Sequence, residues 1–205
     1  LIKERNGISE YKLNANGLKI LLIPNQSSQA ATVMIVYRVG SRNAAVGFTG
    51  STLFLEHMMV KGTGRFPNFD GVLTPLGADY NATTSYDRTN YFAKVPTEHV
   101  GKVIAPEADR MRNRNLRQDH RNSEMTVVRN EFENGKNSPF SVLIEQLGAT
   151  AFDAHPYHHP IIGWLSDVEN VPLARLKAFY DEFYWPNNAT VMVTGNYGTD
   201  DDVLK

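Results

Sequence analysis

The run ATVMIVYRV, Ala31 to Val39, is β-branched and almost without interruption. Such a run suits a strand in the middle of a sheet, because branched side chains pack well on a pleated surface. A central strand needs neighbours, and the sequence offers several. Glu10 to Pro24 reads as two short strands around Asn16-Gly17, a dipeptide that supplies the positive φ of a tight turn. Ala78 to Thr84 and Asn90 to Val95 read as a second pair, with Asp87-Arg88 near the turn. Ala189 to Thr194 reads as a last strand closed by Gly195.

The rest of the chain reads as helix. Ser51-Thr52 offers an N-cap for Leu53 to Val60, which stops near Gly62. Glu98 to Asn113 carries Val100, Val103, Ile104, Ala108 and Met111 on one stripe. Ser123 to Glu133 carries Met125, Val127, Val128 and Phe132, and Phe140 to Phe152 carries Val142, Leu143, Leu147 and Ala151. Pro172 starts a helix at its first turn that runs to Phe183. Strands and helices fall into blocks rather than alternating strictly. That predicts an α+β fold, with a mostly antiparallel sheet packed against a layer of helices. No repeat or linker divides the chain, so 1–205 reads as a single domain. Its last residues, TDDDVLK, resemble the start of a helix, and the expectation is a domain belonging to a longer protein.

Composition narrows the chemistry. With no Cys, disulfides, thiolate metal sites and a Cys nucleophile are excluded, leaving His and carboxylates as metal ligands. The 22 acidic and 21 basic residues balance to a net charge of −1, which argues against a nucleic-acid partner. The densest basic stretch, Arg110 to Arg121, is interleaved with Asp119 and preceded by Glu107 and Asp109, and reads as a solvated helix face. No apolar run reaches the length of about 18 residues that a bilayer span requires. The expected setting is soluble, in a bacterial periplasm or cytoplasm.

Glu56 and His57 interrupt an otherwise apolar helix, LFLEHMMV. Two adjacent ionisable groups there need partners, because an unpaired buried charge is costly. A structural Glu–His pair would satisfy them. So would a metal site, and Glu124 and Glu131 are placed to contribute: seven residues apart, they share a face of the helix Ser123 to Glu133. A solvated helix face is the alternative for that pair. A His and a Glu from two helices, with a second Glu beside the His, match the donors and general base of a catalytic zinc site. His155, His158 and His159 lie in HPYHHP, whose prolines make a loop with packing or capping histidines. His99 and His120 are isolated near helix ends.

FLEHM followed by Lys61-Gly62-Thr63 resembles the inverted zinc motif H-x-x-E-H of the pitrilysin/insulinase metallopeptidases. GADYNATTS from Gly77 and DRTNY from Asp87 resemble that family's substrate-binding edge strand and its continuation. EMTVVRNE, Glu124 to Glu131, resembles the helix with its third metal ligand, and His155-Pro156-Tyr157, Phe179-Tyr180 and YWPNNA from Tyr184 resemble later signatures. The resemblance covers essentially the whole chain. It implies Glu56 as catalytic base, His57 and Glu131 as zinc ligands, Glu124 as an outer-shell acid, and Asn81, Ala82, Thr83 and Thr84 as the edge that binds substrate. It implies a peptide or unfolded protein as substrate, and a C-terminal lobe or second homologous subunit as the completing half.

The sequence departs from the motif at its first histidine, where Leu53 stands. Positions 53, 56 and 57 project from one face of a helix. Two protein ligands fall short of the three a catalytic zinc uses, so the expectation is weak or absent zinc binding. Two functional expectations follow. One is a zinc metalloendopeptidase lobe impaired by Leu53; the other is a non-catalytic partner subunit or peptide-binding module of the same family.

Overall fold

The computed structural model describes residues 1–204, built on a seven-stranded sheet with helices against one face. In chain order the elements are β1 Lys3–Arg5, β2 Ile8–Lys12, β3 Lys19–Pro24, β4 Ala30–Tyr37, α1 Ser51–Met59, α2 Phe69–Leu73, β5 Asp79–Thr84, β6 Thr89–Pro96, α3 Val100–Asn113, α4 Gln118–Lys136, α5 Pro139–Ala151, α6 Leu165–Asn170, α7 Leu173–Phe183, β7 Ala189–Gly195 and α8 Asp200–Leu204. The strand order is β1-β2-β3-β7-β4-β6-β5. Every neighbouring pair is antiparallel except β3–β7. The expected α+β class and mostly antiparallel sheet are what the fold has. Among the described residues no helix is long and apolar enough to cross a membrane.

β4 sits between β6 and β7, as its β-branched run requires. Its side chains alternate: Ala31, Val33, Ile35 and Tyr37 are buried, while Thr32, Met34 and Val36 are half-buried on the other face. The buried face meets α3, and the core joins Phe54, Leu55, Met58 and Met59 to Val100, Val103, Val128, Leu176 and Tyr184. β5 lies at the end of the sheet and, among the described residues, pairs with β6 alone, so one of its edges is open.

Two local expectations are corrected. Helix α1 begins at Ser51, two residues earlier than expected, because Gly50 takes the capping position at φ +80°. A Cβ at Gly50 would stand 2.2 Å from the Ile162 carbonyl oxygen, so only glycine allows the loop before α6 to approach this closely. The basic stretch is not a solvated face throughout. Arg110 is buried between the rings of Phe69 and Tyr91 and paired with Glu107, and Arg114 is buried against backbone carbonyls. The apolar face of α5 is largely exposed: Phe140, Leu143, Ile144 and Leu147 are 70%, 61%, 45% and 59% exposed. Periodicity shows that a helix has an apolar face, not what covers it.

Candidate active site

Helix α1 runs through the core beside α4, α7 and β5, and of its nine residues only His57 is not buried. That explains a sequence that is apolar around nearly the whole helix. Its last turn is held by Arg114, whose Nε donates to the Met58 carbonyl at 2.8 Å and whose terminal nitrogens reach the carbonyls of Met58 and Gly62. These are orphan acceptors at a helix end, and a buried guanidinium is well matched to several at once. Burial pushes the Arg114 guanidinium down to about 10.

His57 and the two glutamates of α4 meet as the seven-residue spacing requires. His57 Nε2 is 3.2 Å from Glu131 Oε2, and Nδ1 is 3.5 Å from Glu124 Oε2. Lys61 Nζ is 2.5 Å from the other oxygen of Glu124. Burial favours a neutral His57, but the two carboxylates outweigh it and raise the imidazole to about 9. Burial likewise opposes the charge on Glu124, and the contacts with His57 and Lys61 overcome it and hold the carboxyl below its usual range. Glu124 is buried and Glu131 exposed, so the solvated-face alternative is wrong for the first.

Glu56 turns to β5 instead. Its Oε2 accepts a hydrogen bond of 2.8 Å from the Thr84 hydroxyl. Burial raises its pKa above the ordinary carboxylate value, with Thr84 opposing the shift. The alternation of β5 puts Tyr80, Ala82 and Thr84 on the half-buried side. Thr83 faces the other way and donates to Asn90 on β6 at 2.8 Å. Asn81 and Ala82 border a cavity of about 240 Å³ beside Glu56 and His57. Lys61 and Arg114 were not assigned roles from the sequence. Lys61 stands four residues after His57, which is a visible signal, but nothing local marks Arg114, whose acceptors Met58 and Gly62 are more than fifty residues away.

The donors do not fit a catalytic zinc. Leu53, at the position one turn before His57, presents a hydrocarbon side chain that is 8% exposed. His57 and Glu131 face each other, and Glu124 is held by Lys61. Among the described residues, no group of three or more His, Cys, Asp or Glu side chains is placed to hold a metal ion. The histidines of HPYHHP do not fill the gap. His155 Nδ1 accepts from the Tyr157 backbone N–H as a cap, and His159 is buried beside Pro160.

Residues 19–164 match the insulinase family, peptidase family M16. The chain belongs to this family. It is 35% identical over 185 residues to the zinc protease PqqE of Helicobacter pylori, covering 88% of this chain and 42% of that protein. It is 29% identical to the probable mitochondrial-processing peptidase subunit beta of Arabidopsis thaliana, covering 88% of this chain and 34% of the relative. The crystal structure of a protease from Helicobacter pylori superposes with a TM-score of 0.90 at 32% identity, over 96% of this chain and 48% of that one. The first half of the periplasmic protease PqqL from Escherichia coli shares the fold, with a TM-score of 0.85 at 24% identity, over 97% of this chain and 44% of that one. The chain thus spans less than half the length of these relatives.

Proposed function

We propose that this chain is a peptide-binding lobe of an M16 peptidase in which metal-dependent hydrolysis is impaired at Leu53. The observation that carries the proposal is the side chain at position 53: one turn before His57, where a third donor is needed, it is a buried hydrocarbon. Affinity for a catalytic zinc depends on three protein donors, and even outer contacts to such donors matter about 10–100-fold.

The rest of the site supports peptide binding. β5 keeps an open edge, to which an extended peptide can add as a strand through main-chain hydrogen bonds. Glu56, held by Thr84, stands beside that edge, and Asn81 and Ala82 border the adjoining cavity. The peptide or unfolded protein bound there is enclosed by a C-terminal lobe or a second homologous subunit. Zinc, named in several relatives, is held weakly or not at all here.

The test is made on the full-length protein, with unfolded casein and a quenched fluorescent peptide, with and without a chelator. Binding without chelator-sensitive cleavage is expected. Efficient cleavage that a chelator abolishes and zinc restores would refute the proposed impairment.

A further inference from the structure

The turn between β5 and β6 holds Arg88 in a fixed place. The Ser85 N–H donates to the Arg88 carbonyl at 2.8 Å, and the Ser85 hydroxyl accepts from the Arg88 N–H at 3.3 Å. The exposed side chain folds back over β5, where Nη1 donates to the Thr83 hydroxyl at 3.0 Å and to Oδ1 of the buried Asn90. Both acceptors are neutral. Among the described residues no carboxylate pairs with Arg88, and its sequence neighbour Asp87 is engaged by Arg42 Nε at 3.1 Å and the Tyr157 hydroxyl at 2.6 Å. We propose that Arg88 binds a carboxylate of an extended peptide laid on the open edge of β5, and so gives that edge a preference for acidic peptides. The inference rests on the peptide-binding reading given above.

The free part of the guanidinium suits this ligand. Only Nη1 is used, so among the described residues the edge formed by Nε and Nη2 makes no protein hydrogen bond. Two parallel N–H groups on that edge match the two oxygens of a carboxylate. Thr83 and Asn90, themselves bonded at 2.8 Å, already hold the guanidinium, so an incoming acid has little left to order. Placement points to the peptide. Asp79, Asn81 and Thr83 form the exposed face of β5, and Arg88 reaches Thr83 from the end of the strand where Thr84 holds Glu56. A strand added to the open edge turns every second side chain to that face, away from the half-buried Ala82 and Thr84. A basic side chain there would meet like charge, and a neutral one would leave the Nε–Nη2 edge to water.

The experiment uses the full-length protein and fluorescence anisotropy. Labelled peptides of one uncharged sequence carry Glu, Gln or Lys at the centre and end in an amide. A fourth carries Gln and ends in a free carboxylate. At low salt the Glu peptide is expected to bind about two- to fivefold tighter than the Gln peptide, the ratio an exposed pair of this kind gives. The preference is expected to vanish at about 1 M salt, where charges are screened within about 3 Å. Arg88→Gln is expected to bring the Glu-to-Gln ratio to one, and Arg88→Glu to favour the Lys peptide instead. A gain by the fourth peptide that Arg88→Gln removes would support the proposal and place the bound carboxylate at the peptide's C-terminus. Equal binding of all the wild-type pairs, or a preference that survives Arg88→Gln, would overturn this proposal and leave the edge-strand reading standing. No binding by any peptide would overturn both.

Discussion

Lys61 Nζ lies 2.5 Å from Glu124, and the same carboxylate faces His57 Nδ1 at 3.5 Å. The buried acid of α4 is thus neutralised by two cations from α1 and the turn after it. Each acidic side chain around His57 has a protein partner: Glu56 has Thr84, Glu124 has Lys61 and His57, and Glu131 has His57. Ion pairs hold His57 and Glu124, while hydrogen bonds hold Glu56 and the end of α1.

Replacing Lys61 with Met leaves Glu124 buried with a single partner. The expected cost is about 1–2 kcal/mol in urea denaturation, kept modest by solvent around the partly exposed lysine. An NMR titration of the variant is expected to show the Glu124 carboxyl above its wild-type pKa.

The raised His57 pKa makes stability fall on the alkaline side. An imidazole that titrates at 6.5 when unfolded and at about 9 when folded adds its full stabilisation below pH 6.5. That stabilisation, on the order of 1–3 kcal/mol, is lost as pH rises from 6.5 through 9. Denaturation midpoints across this window are expected to fall in the wild type and to stay flat in His57→Gln.

Leu53→His supplies the third donor one turn before His57. Zinc affinity by calorimetry is expected to rise at least about 100-fold over the wild type, since a whole ligand is gained. Equal, weak binding by both proteins would show that position 53 does not decide metal affinity.

Arg114→Met keeps the stem and removes the guanidinium from the carbonyls of Met58 and Gly62. Leaving buried acceptors unpaired is expected to cost about 2–4 kcal/mol in denaturant unfolding. The loss is expected to broaden the NMR signals of His57, whose helical turn ends at those carbonyls.

Thr84→Val removes the hydrogen bond that favours the charged form of Glu56. The Glu56 pKa is expected to rise further above its ordinary value, read by carboxyl NMR, with little change in stability.

Where an element's pattern is local, the sequence was enough. β4 announces itself by a nine-residue run of which seven are apolar, and Glu124 and Glu131 by a spacing that one helix must put on one face. Where a side chain's surroundings come from distant segments, it was not. The apolar stripe of α5 is legible but its exposure is not, and the arginines of α3 and its end read as a solvated face yet two are buried.

By itself the sequence determined the α+β class, the face shared by Leu53, Glu56 and His57, and the absence of a donor at position 53, because helical periodicity and side-chain chemistry need no partner to be read. Only the tertiary structure decided that Lys61 neutralises Glu124, that Thr84 holds Glu56, and that Leu53 becomes the wall of an apolar cleft. Each of those depends on segments 28 to 109 residues apart meeting in space: Thr84 is 28 residues from Glu56, Lys61 is 63 from Glu124, and Leu53 is 109 from Ile162. The long-range burial that brings them together is set by how the sheet and helices pack as a whole.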